Sequence, residues 1–168
     1  MLKIYVNTWG NYNENGAEGG EWITLPMDSD ELEETLERIA NKIGDTDPEW
    51  AIHDYEWQEC QLGPVEEDAN IFALNELAEE LENLMDYELE ALAAALEAED
   101  DGLETHLRKL NSYSFYPGMT LEEVAEQIVD ECYDLPEIAL RYFDYEAFAR
   151  DLRFDGYSET AHGVICIC

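Results

Sequence analysis

The alternation of apolar and polar residues predicts strands near both ends of the chain. In residues 3–8 the side chains of Ile4 and Val6 fall on one face, as the two-residue period of a strand requires. Further strands are predicted at residues 21–25, 50–57, 157–160 and 164–168. Residues 11–20 are rich in Asn and Gly, so they are expected to form a loop that joins the first two strands as an antiparallel pair.

The middle of the chain carries two amphipathic helical patterns. The first places apolar residues at steps of three and four along one stripe: Leu74, Leu77, Ala78, Leu81, Leu84 and Met85. A second helix is expected to begin with Asp86 as its N-cap. Its stripe contains Leu89, Leu92, Ala93 and Leu96. Both helices are therefore expected to bury leucines and to turn their carboxylates outward.

Capping signals predict where other helices begin and end. Three pairs have the spacing of a capping box: Asp28 with Glu31, Asp101 with Glu104, and Thr120 with Glu123. Gly44 is expected to end the first of these helices. Further helices are predicted from Pro136 and over residues 145–152, with Asp144 as a break or a new cap between them, and residues 111–118 are expected to be a loop.

Together these elements predict an α+β protein, built as an elongated chain of three small modules. Residues 1–61 are expected to form an antiparallel sheet with one helix, and residues 62–104 an acidic helical module. Residues 105–168 are expected to combine helices with a small sheet. The turn sequence at residues 60–64 marks the first boundary.

Charge narrows the possible functions further. The chain has 42 Asp and Glu against 8 Lys and Arg, a net charge of -34, whereas a small soluble domain usually carries a charge of about 2 to 8 in magnitude. Such a charge repels nucleic acid at ordinary salt, so no nucleic-acid partner is expected. The favoured partner is a basic protein surface.

The acids are densest between Glu66 and Glu104, where there is no Lys or Arg. We call the fifteen acids of this stretch the carboxylate array: Glu66, Glu67, Asp68, Glu76, Glu79, Glu80, Glu82, Asp86, Glu88, Glu90, Glu97, Glu99, Asp100, Asp101 and Glu104. B-DNA carries one charge per about 1.7 Å, so 34 charges correspond to roughly 58 Å of duplex, or about 17 base pairs. The array could thus replace DNA phosphates in a groove of Lys and Arg; the alternative is a solvated surface.

The chain shows no apolar run of about 18 residues and no basic leader. The expectation is a cytoplasmic protein that makes no contact with a membrane. In that compartment the cysteines Cys60, Cys132, Cys166 and Cys168 would stay reduced, with Cys132 buried on a helical stripe.

A calcium loop is the first rival interpretation. Asn11, Asn13 and Asn15 before Gly16 imitate the start of an EF-hand loop, but position twelve is Trp22 where a bidentate Glu is needed. A hairpin loop is favoured, since tight turns select Asn and Gly.

Zinc binding and hydrolysis are the other rivals. His162, Cys166 and Cys168 could supply three zinc ligands, although a fourth is not evident. His53 beside Asp54 resembles part of a catalytic dyad, but no nucleophile motif accompanies it. We therefore predict no catalytic residue, no metal site and no cofactor.

Separated segments carry a more specific signal than composition. These are residues 4–7 (IYVN), 16–22 (GAEGGEW), 51–56 (AIHDYE) and 142–152 (YFDYEAFARDL), with His162 and Gly163 near the end. In this order they resemble the ArdA antirestriction proteins. The match covers about the first 57 and the last 30 residues, and the middle agrees in its acidic and helical character.

The resemblance implies an inhibitor of type I restriction-modification enzymes. ArdA proteins are carried by conjugative plasmids and transposons, and they are elongated dimers of three small domains whose acidic surface mimics bent B-DNA. Their dimers join through the C-terminal domain. By analogy, the antirestriction motif and homodimer contact contain Leu140, Tyr142, Phe143, Asp144, Tyr145, Phe148 and Leu152. Each apolar member could instead belong to the core of its own module.

The predicted function is that of a non-enzymatic B-DNA mimic. It would occupy the DNA-binding groove of a type I restriction-modification enzyme and block DNA binding and restriction. The alternative is an acidic interaction module for another basic DNA-binding protein, which composition alone does not distinguish.

Overall fold

The computed structural model describes residues 1–167, and the chain forms two compact units, Met1–Leu84 and Met85–Cys168. Each unit contains one three-stranded antiparallel sheet. The predicted α+β class of small modules is therefore confirmed. The module boundaries at residues 61 and 104 stay a prediction; the predicted middle module supplies α3 (Ile71–Glu82) to the first unit and α4 (Asp86–Ala98) to the second.

The first unit is organised around its opening strand. Strand β1 lies between β2 and β3 and is antiparallel to both. The elements of the unit, in order, are β1 (Leu2–Thr8), α1 (Trp9–Asn15), β2 (Glu21–Leu25), α2 (Ser29–Ile43), β3 (Trp50–Trp57) and α3.

The core of the first unit is formed by the apolar residues that alternate along β1 and by those that recur at helical spacing along α2. Leu2, Ile4 and Val6 are buried at alternate positions of β1. Helix α2 buries a stripe of Leu32, Leu36, Ile39 and Ala40 and exposes most of its other residues. Burying one such aliphatic side chain stabilises the fold by about 1.5–3 kcal/mol. The predicted strands of this unit are confirmed, and so is α2 with its end at Gly44. The predicted capping box of Asp28 with Glu31 is not formed, because the Asp28 side chain accepts from the Asp30 N–H at 2.9 Å.

The connection between β1 and β2 differs from the prediction. It contains the seven-residue helix α1, capped by Thr8, whose side chain accepts from the backbone N–H of Asn11 at 3.3 Å. The side-chain amide of Asn11 donates to the carbonyl of Glu18 at 2.6 Å and to Asn7 Oδ1 at 3.0 Å. The Asn residues thus hold the connection together through hydrogen bonds, which a simple loop prediction does not include.

Helix α3 is held by two asparagines. Asn70 caps it, accepting from the N–H groups of Phe72 and Ala73 at 3.0 and 3.1 Å. Asn75 is buried, and its amide both accepts from the N–H of Met27 at 2.9 Å and donates to the Met27 carbonyl at 2.8 Å. The predicted apolar stripe is only partly buried: Ala78 and Leu81 are buried, while Met85 is exposed.

The second unit has more and shorter elements. After α4 these are α5 (Leu103–Lys109), β4 (Ser114–Pro117), α6 (Leu121–Cys132), α7 (Glu137–Leu140), α8 (Tyr145–Leu152), β5 (Tyr157–Thr160) and β6 (Gly163–Cys166). Strand β6 lies between β4 and β5. Short 3-10 turns follow α5 at Leu110–Ser112 and α8 at Arg153–Asp155.

Strand β6 is buried on both faces. Val164 joins a cluster with Leu121, Val124, Ala125, Ala149 and Leu152 of α6 and α8. The next residue, Ile165, packs with Ala94 and Ala95 of α4. Because successive strand residues point to opposite faces, the sheet lies between the α6–α8 pair and α4. Helix α4 contacts α5 as well as this sheet, and all residues of Ala91–Ala95 are buried.

Several helix ends of the second unit differ from the predictions. Met85, and not Asp86, is the N-cap residue of α4, and Gly102, at φ 79°, precedes α5 in place of Asp101. The predicted loop at residues 111–118 contains β4. The capping box of Thr120 with Glu123 is confirmed, and so is Asp144 as the cap of α8.

The cysteines also depart from the expectation. Cys132 is exposed, not buried, and Cys166 is disulfide-bonded, not reduced. Cys168, which was included in the predicted final strand and the zinc alternative, lies outside the described residues. Among the helices of residues 1–167, none has both the length and the hydropathy of a membrane span.

Candidate functional site

The first unit carries seven members of the carboxylate array. Glu66, Glu67 and Asp68 lie in the segment before α3, and the helix itself carries Glu76, Glu79, Glu80 and Glu82. All seven are exposed. Residues three or four apart share one side of a helix and are separated by about 4.5–6 Å along its axis. Helix α3 therefore presents an ordered row of carboxylates to solvent.

The second unit carries the other eight members. Four lie on α4, three in the loop before α5 and one on α5: Asp86, Glu88, Glu90, Glu97, Glu99, Asp100, Asp101 and Glu104. All of them except the half-buried Glu88 are exposed.

Three carboxylates of the array also have local structural roles. Glu88 accepts from the N–H of Met85, the N-cap residue of α4, at 2.8 Å, while Glu97 accepts from the Ala161 N–H at 2.9 Å. Asp101 lies 3.6 Å from the ammonium of Lys109. Within residues 1–167 the other twelve carboxylates have neither a hydrogen-bond partner nor an ion-pair partner.

Most cations of the chain are paired away from the array. Arg38 and Lys42 of α2 both contact Glu21, at 2.7 and 2.9 Å. Their hydrogen bonds lower the pKa of Glu21 below its ordinary value. Other pairs join Lys3 to Glu56, Arg141 to Glu137 and Arg153 to Glu159. The array thus keeps its negative charge largely uncompensated.

Exposed acids are not confined to the predicted stretch. Helix α2 exposes five carboxylates, Asp30, Glu31, Glu33, Glu34 and Glu37, and α6 exposes another five, Glu122, Glu123, Glu126, Asp130 and Glu131. Sequence reasoning omitted them because it selected the segment without Lys or Arg. The sequence feature that could have identified them is their placement between the apolar positions of two amphipathic helices, which predicts that they face solvent.

The predicted dimer segment is divided between core and surface. Leu152 is buried in the second unit, and Phe148 packs against the same cluster. Phe143 lies half-buried with its ring centroid 4.9 Å from that of Tyr145 and 5.7 Å from that of Phe148. Tyr142, in contrast, is 79% exposed.

The other members of that segment have smaller parts at the surface. Leu140 is half-buried, and the Asp144 carboxylate caps α8 by accepting from the Ala147 N–H at 2.9 Å. Two exposed apolar residues lie just outside the segment, Ile138 at 66% and Phe154 at 85% exposure. Sequence reasoning missed both, since neither lies within the matched motif.

The groups behind the rival interpretations are placed as follows. Within residues 1–167 no three His, Cys, Asp or Glu lie close enough to hold a metal ion. His53 stacks on Tyr12 with ring centroids 3.7 Å apart and meets the edge of Trp9 at 5.4 Å. Its Nε2 is buried without a hydrogen-bond partner. Burial lowers the pKa of His53, and the charge of Glu67 opposes that shift.

These observations define a class of protein: a strongly acidic α+β chain that displays ordered carboxylates on its helices. A family model described as Antirestriction protein (ArdA) matches residues 4–166. The chain therefore belongs to the ArdA family of antirestriction proteins, as its motifs indicated. Membership implies antirestriction activity, interaction with restriction enzymes, and the action of an inhibitor in place of a catalyst. No curated protein matches the chain significantly.

Proposed function

We propose that this protein is a B-DNA mimic that occupies the DNA-binding groove of type I restriction-modification enzymes. The observation that carries the proposal is the set of twelve array carboxylates that have no partner within residues 1–167. By filling the groove, the protein blocks DNA binding and restriction. The enzyme is cytoplasmic, and so is the inhibitor, encoded on the mobile element that it protects.

The physical basis is the placement of negative charge on a folded scaffold. Acids three or four residues apart on α3 repeat about every 5–6 Å, close to the spacing of neighbouring phosphates on a DNA strand. A disordered acidic tail would lose conformational entropy on binding, at a cost of about 1–2 kcal/mol per ordered residue. Carboxylates on helices avoid most of that cost.

The proposal includes a homodimer formed through the second unit. Ile138, Tyr142 and Phe154 are the exposed apolar side chains around the predicted antirestriction motif. Large apolar side chains that stay exposed in one segment of the chain are candidates for a protein contact, which would remove them from water. A dimer would double the charge displayed and lengthen the surface offered to the enzyme.

Competition for DNA is the direct test. A type I enzyme is mixed with increasing amounts of the protein, a labelled duplex carrying its recognition site is added, and bound duplex is measured at two salt concentrations. We expect loss of DNA binding, with weaker inhibition at the higher salt because groove cations are screened. Undisturbed DNA binding would favour the alternative of another basic client.

A charge-removal variant tests the role of α3. Replacing Glu76, Glu79, Glu80 and Glu82 together by Gln should raise the concentration needed for half inhibition at least about tenfold, which corresponds to roughly 1.4 kcal/mol of binding. The matched control replaces the same four residues by Asp, which keeps the charge, and should stay within about threefold of the original protein. Complete loss of inhibition from one single Glu→Gln change would contradict a distributed mimic and indicate a local site.

A further inference from the structure

The first unit contains a cavity that brings carboxylates next to aromatic rings. It has a volume of about 520 Å³ and lies among α2, the loop that follows it, and the first residues of β3 and α3. Glu33, Glu37 and Asp45 line it together with Trp50 and Phe72. The lining includes no Lys or Arg, so the cavity is negatively charged and partly apolar.

The charge of this cavity is not balanced from within the unit. The two cations of α2, Arg38 and Lys42, both contact Glu21, which is not among the lining residues. Within residues 1–167 neither Glu33 nor Glu37 takes part in an ion pair, and Asp45 uses one oxygen to accept from the Asp47 N–H at 3.1 Å. A cation from outside the chain can therefore be accommodated.

The rings decide which kind of cation fits best. Phe72 is 45% exposed although it is a large apolar residue, and Trp50 is half-buried. A guanidinium group is planar, is weakly hydrated and stacks on aromatic faces, and its donors pair with two carboxylate oxygens at once. A lysine ammonium is strongly hydrated and lacks the planar face. A divalent metal is not favoured, since the described acids form no group that could hold one.

We propose that this cavity binds an arginine side chain of the protein partner. The aliphatic stem and guanidinium would lie against Phe72 and Trp50, with the charge directed to Glu33 and Glu37. This inference rests on the proposed function, because the partner is the enzyme with the basic groove. It adds a specific anchoring site to a surface that otherwise acts through distributed charge.

The test uses the full chain and a small probe. Isotope-labelled protein is titrated with N-acetyl-L-argininamide at constant ionic strength while NMR follows the indole N–H of Trp50. We expect a saturable shift of that signal. The neutral isostere N-acetyl-L-citrullinamide should give no saturable shift, and N-acetyl-L-lysinamide should bind at least about threefold more weakly. Equal binding of the citrulline probe would overturn the proposal.

Matched variants show whether arginine binds at the cavity or is attracted only by the net charge of the protein. Glu33→Gln with Glu37→Gln should weaken arginine binding at least about threefold, and so should Phe72→Ala. Glu31→Gln with Glu34→Gln removes the same charge from exposed positions of the same helix outside the cavity lining and should change binding less than twofold. If both double variants weaken binding equally, the arginine is attracted by net charge alone and the site is refuted.

The DNA-competition experiment distinguishes failure of this site from failure of the proposed function. Saturable arginine binding without inhibition of the type I enzyme would contradict the proposed DNA mimicry, while the cavity would remain an arginine-binding site. Inhibition without arginine binding would refute the arginine site and leave the proposed DNA mimicry unaffected.

Discussion

The two units reach similar architectures from different sequence patterns. The first has strands of five to eight residues around β1, whose apolar residues alternate with partly exposed ones over its first half. The second has strands of four residues around β6, whose four residues are all buried. A half-exposed strand shows its period in the sequence, whereas a short strand buried on both faces does not.

The units also differ in what they present to solvent. Residues 1–84 carry 22 acids against 3 Lys and Arg, and residues 85–168 carry 20 against 5. The most exposed large apolar side chains, Phe154, Tyr142 and Ile138, all belong to the second unit. The first unit therefore presents chiefly charge to solvent, while the second presents charge together with the most exposed large apolar side chains.

The largest expected effect comes from truncating the two cores. Leu32 and Leu152 are buried in the first and second unit, and Leu→Ala at such sites costs about 2–5 kcal/mol through lost burial and a residual cavity. We expect Leu32→Ala to lower amide-exchange protection in residues 1–84, and Leu152→Ala to lower it in residues 85–168. The exposed Met85→Ala is the control. If either substitution lowers amide-exchange protection equally in both units, the two units unfold together.

The next effect concerns association. Replacing Tyr142 and Phe154 together by Ser should shift a dimer to monomer in sedimentation equilibrium, since central aromatic anchors contribute more than about 2 kcal/mol each to an interface. Trp22→Ser removes an exposed aromatic of the first unit and should leave the dimer intact. A monomer at all concentrations of the unmodified protein would contradict the homodimer.

Salt should produce a smaller change. Raising ionic strength from about 0.01 M to 0.15 M shortens the screening length from about 30 to 8 Å, which relieves repulsion in the folded state more than in the expanded chain. A gain of about 1 kcal/mol would raise the melting temperature of a unit of this size by roughly 4–8 °C. We expect amide-exchange protection at the higher ionic strength to increase most in the first unit, where the acids outnumber Lys and Arg most strongly. A flat or falling melting temperature would contradict the self-repulsion account.

The smallest effect is a pH dependence confined to the first unit. The pKa of His53 is lowered in the fold, so the unfolded chain takes up this proton at a higher pH than the folded unit does. Stability is therefore intact above the ordinary histidine pKa of about 6.5 and falls as pH drops below it, by at most about 1.4 kcal/mol per pH unit for one proton.

The variant His53→Phe keeps a ring against Tyr12 and Trp9 but removes the titration. Its unfolding free energy between about pH 7 and pH 5.5 should fall less steeply than that of the unmodified protein. Amide exchange in the second unit supplies the internal control, because His53 and the rings that it contacts, Tyr12 and Trp9, all belong to the first unit. If the unfolding free energy of the His53→Phe variant falls with pH as steeply as that of the unmodified protein, His53 is not the source of the pH dependence.

Local patterns predicted much of the fold and part of the candidate site. The periods of Ile4 and Val6 and of Leu32, Leu36 and Ile39 found the central strand and main helix of the first unit, because those elements bury only one side. The same patterns did not find β4, whose four residues carry too short a signal. They also did not find the cavity at Trp50 and Phe72, since its lining comes from separate segments.

The sequence by itself determined the acidity, most of the α+β elements and the ArdA family, because charge, periodicity and motifs are properties of neighbouring residues along the chain. Tertiary structure decided which carboxylates remain without partners, since Arg38 and Lys42 meet Glu21 only after α2 folds beside β2. It also decided that Leu152 enters a core while Tyr142 reaches solvent. Partners distant in sequence determine burial and pairing, and they come together only in the folded chain.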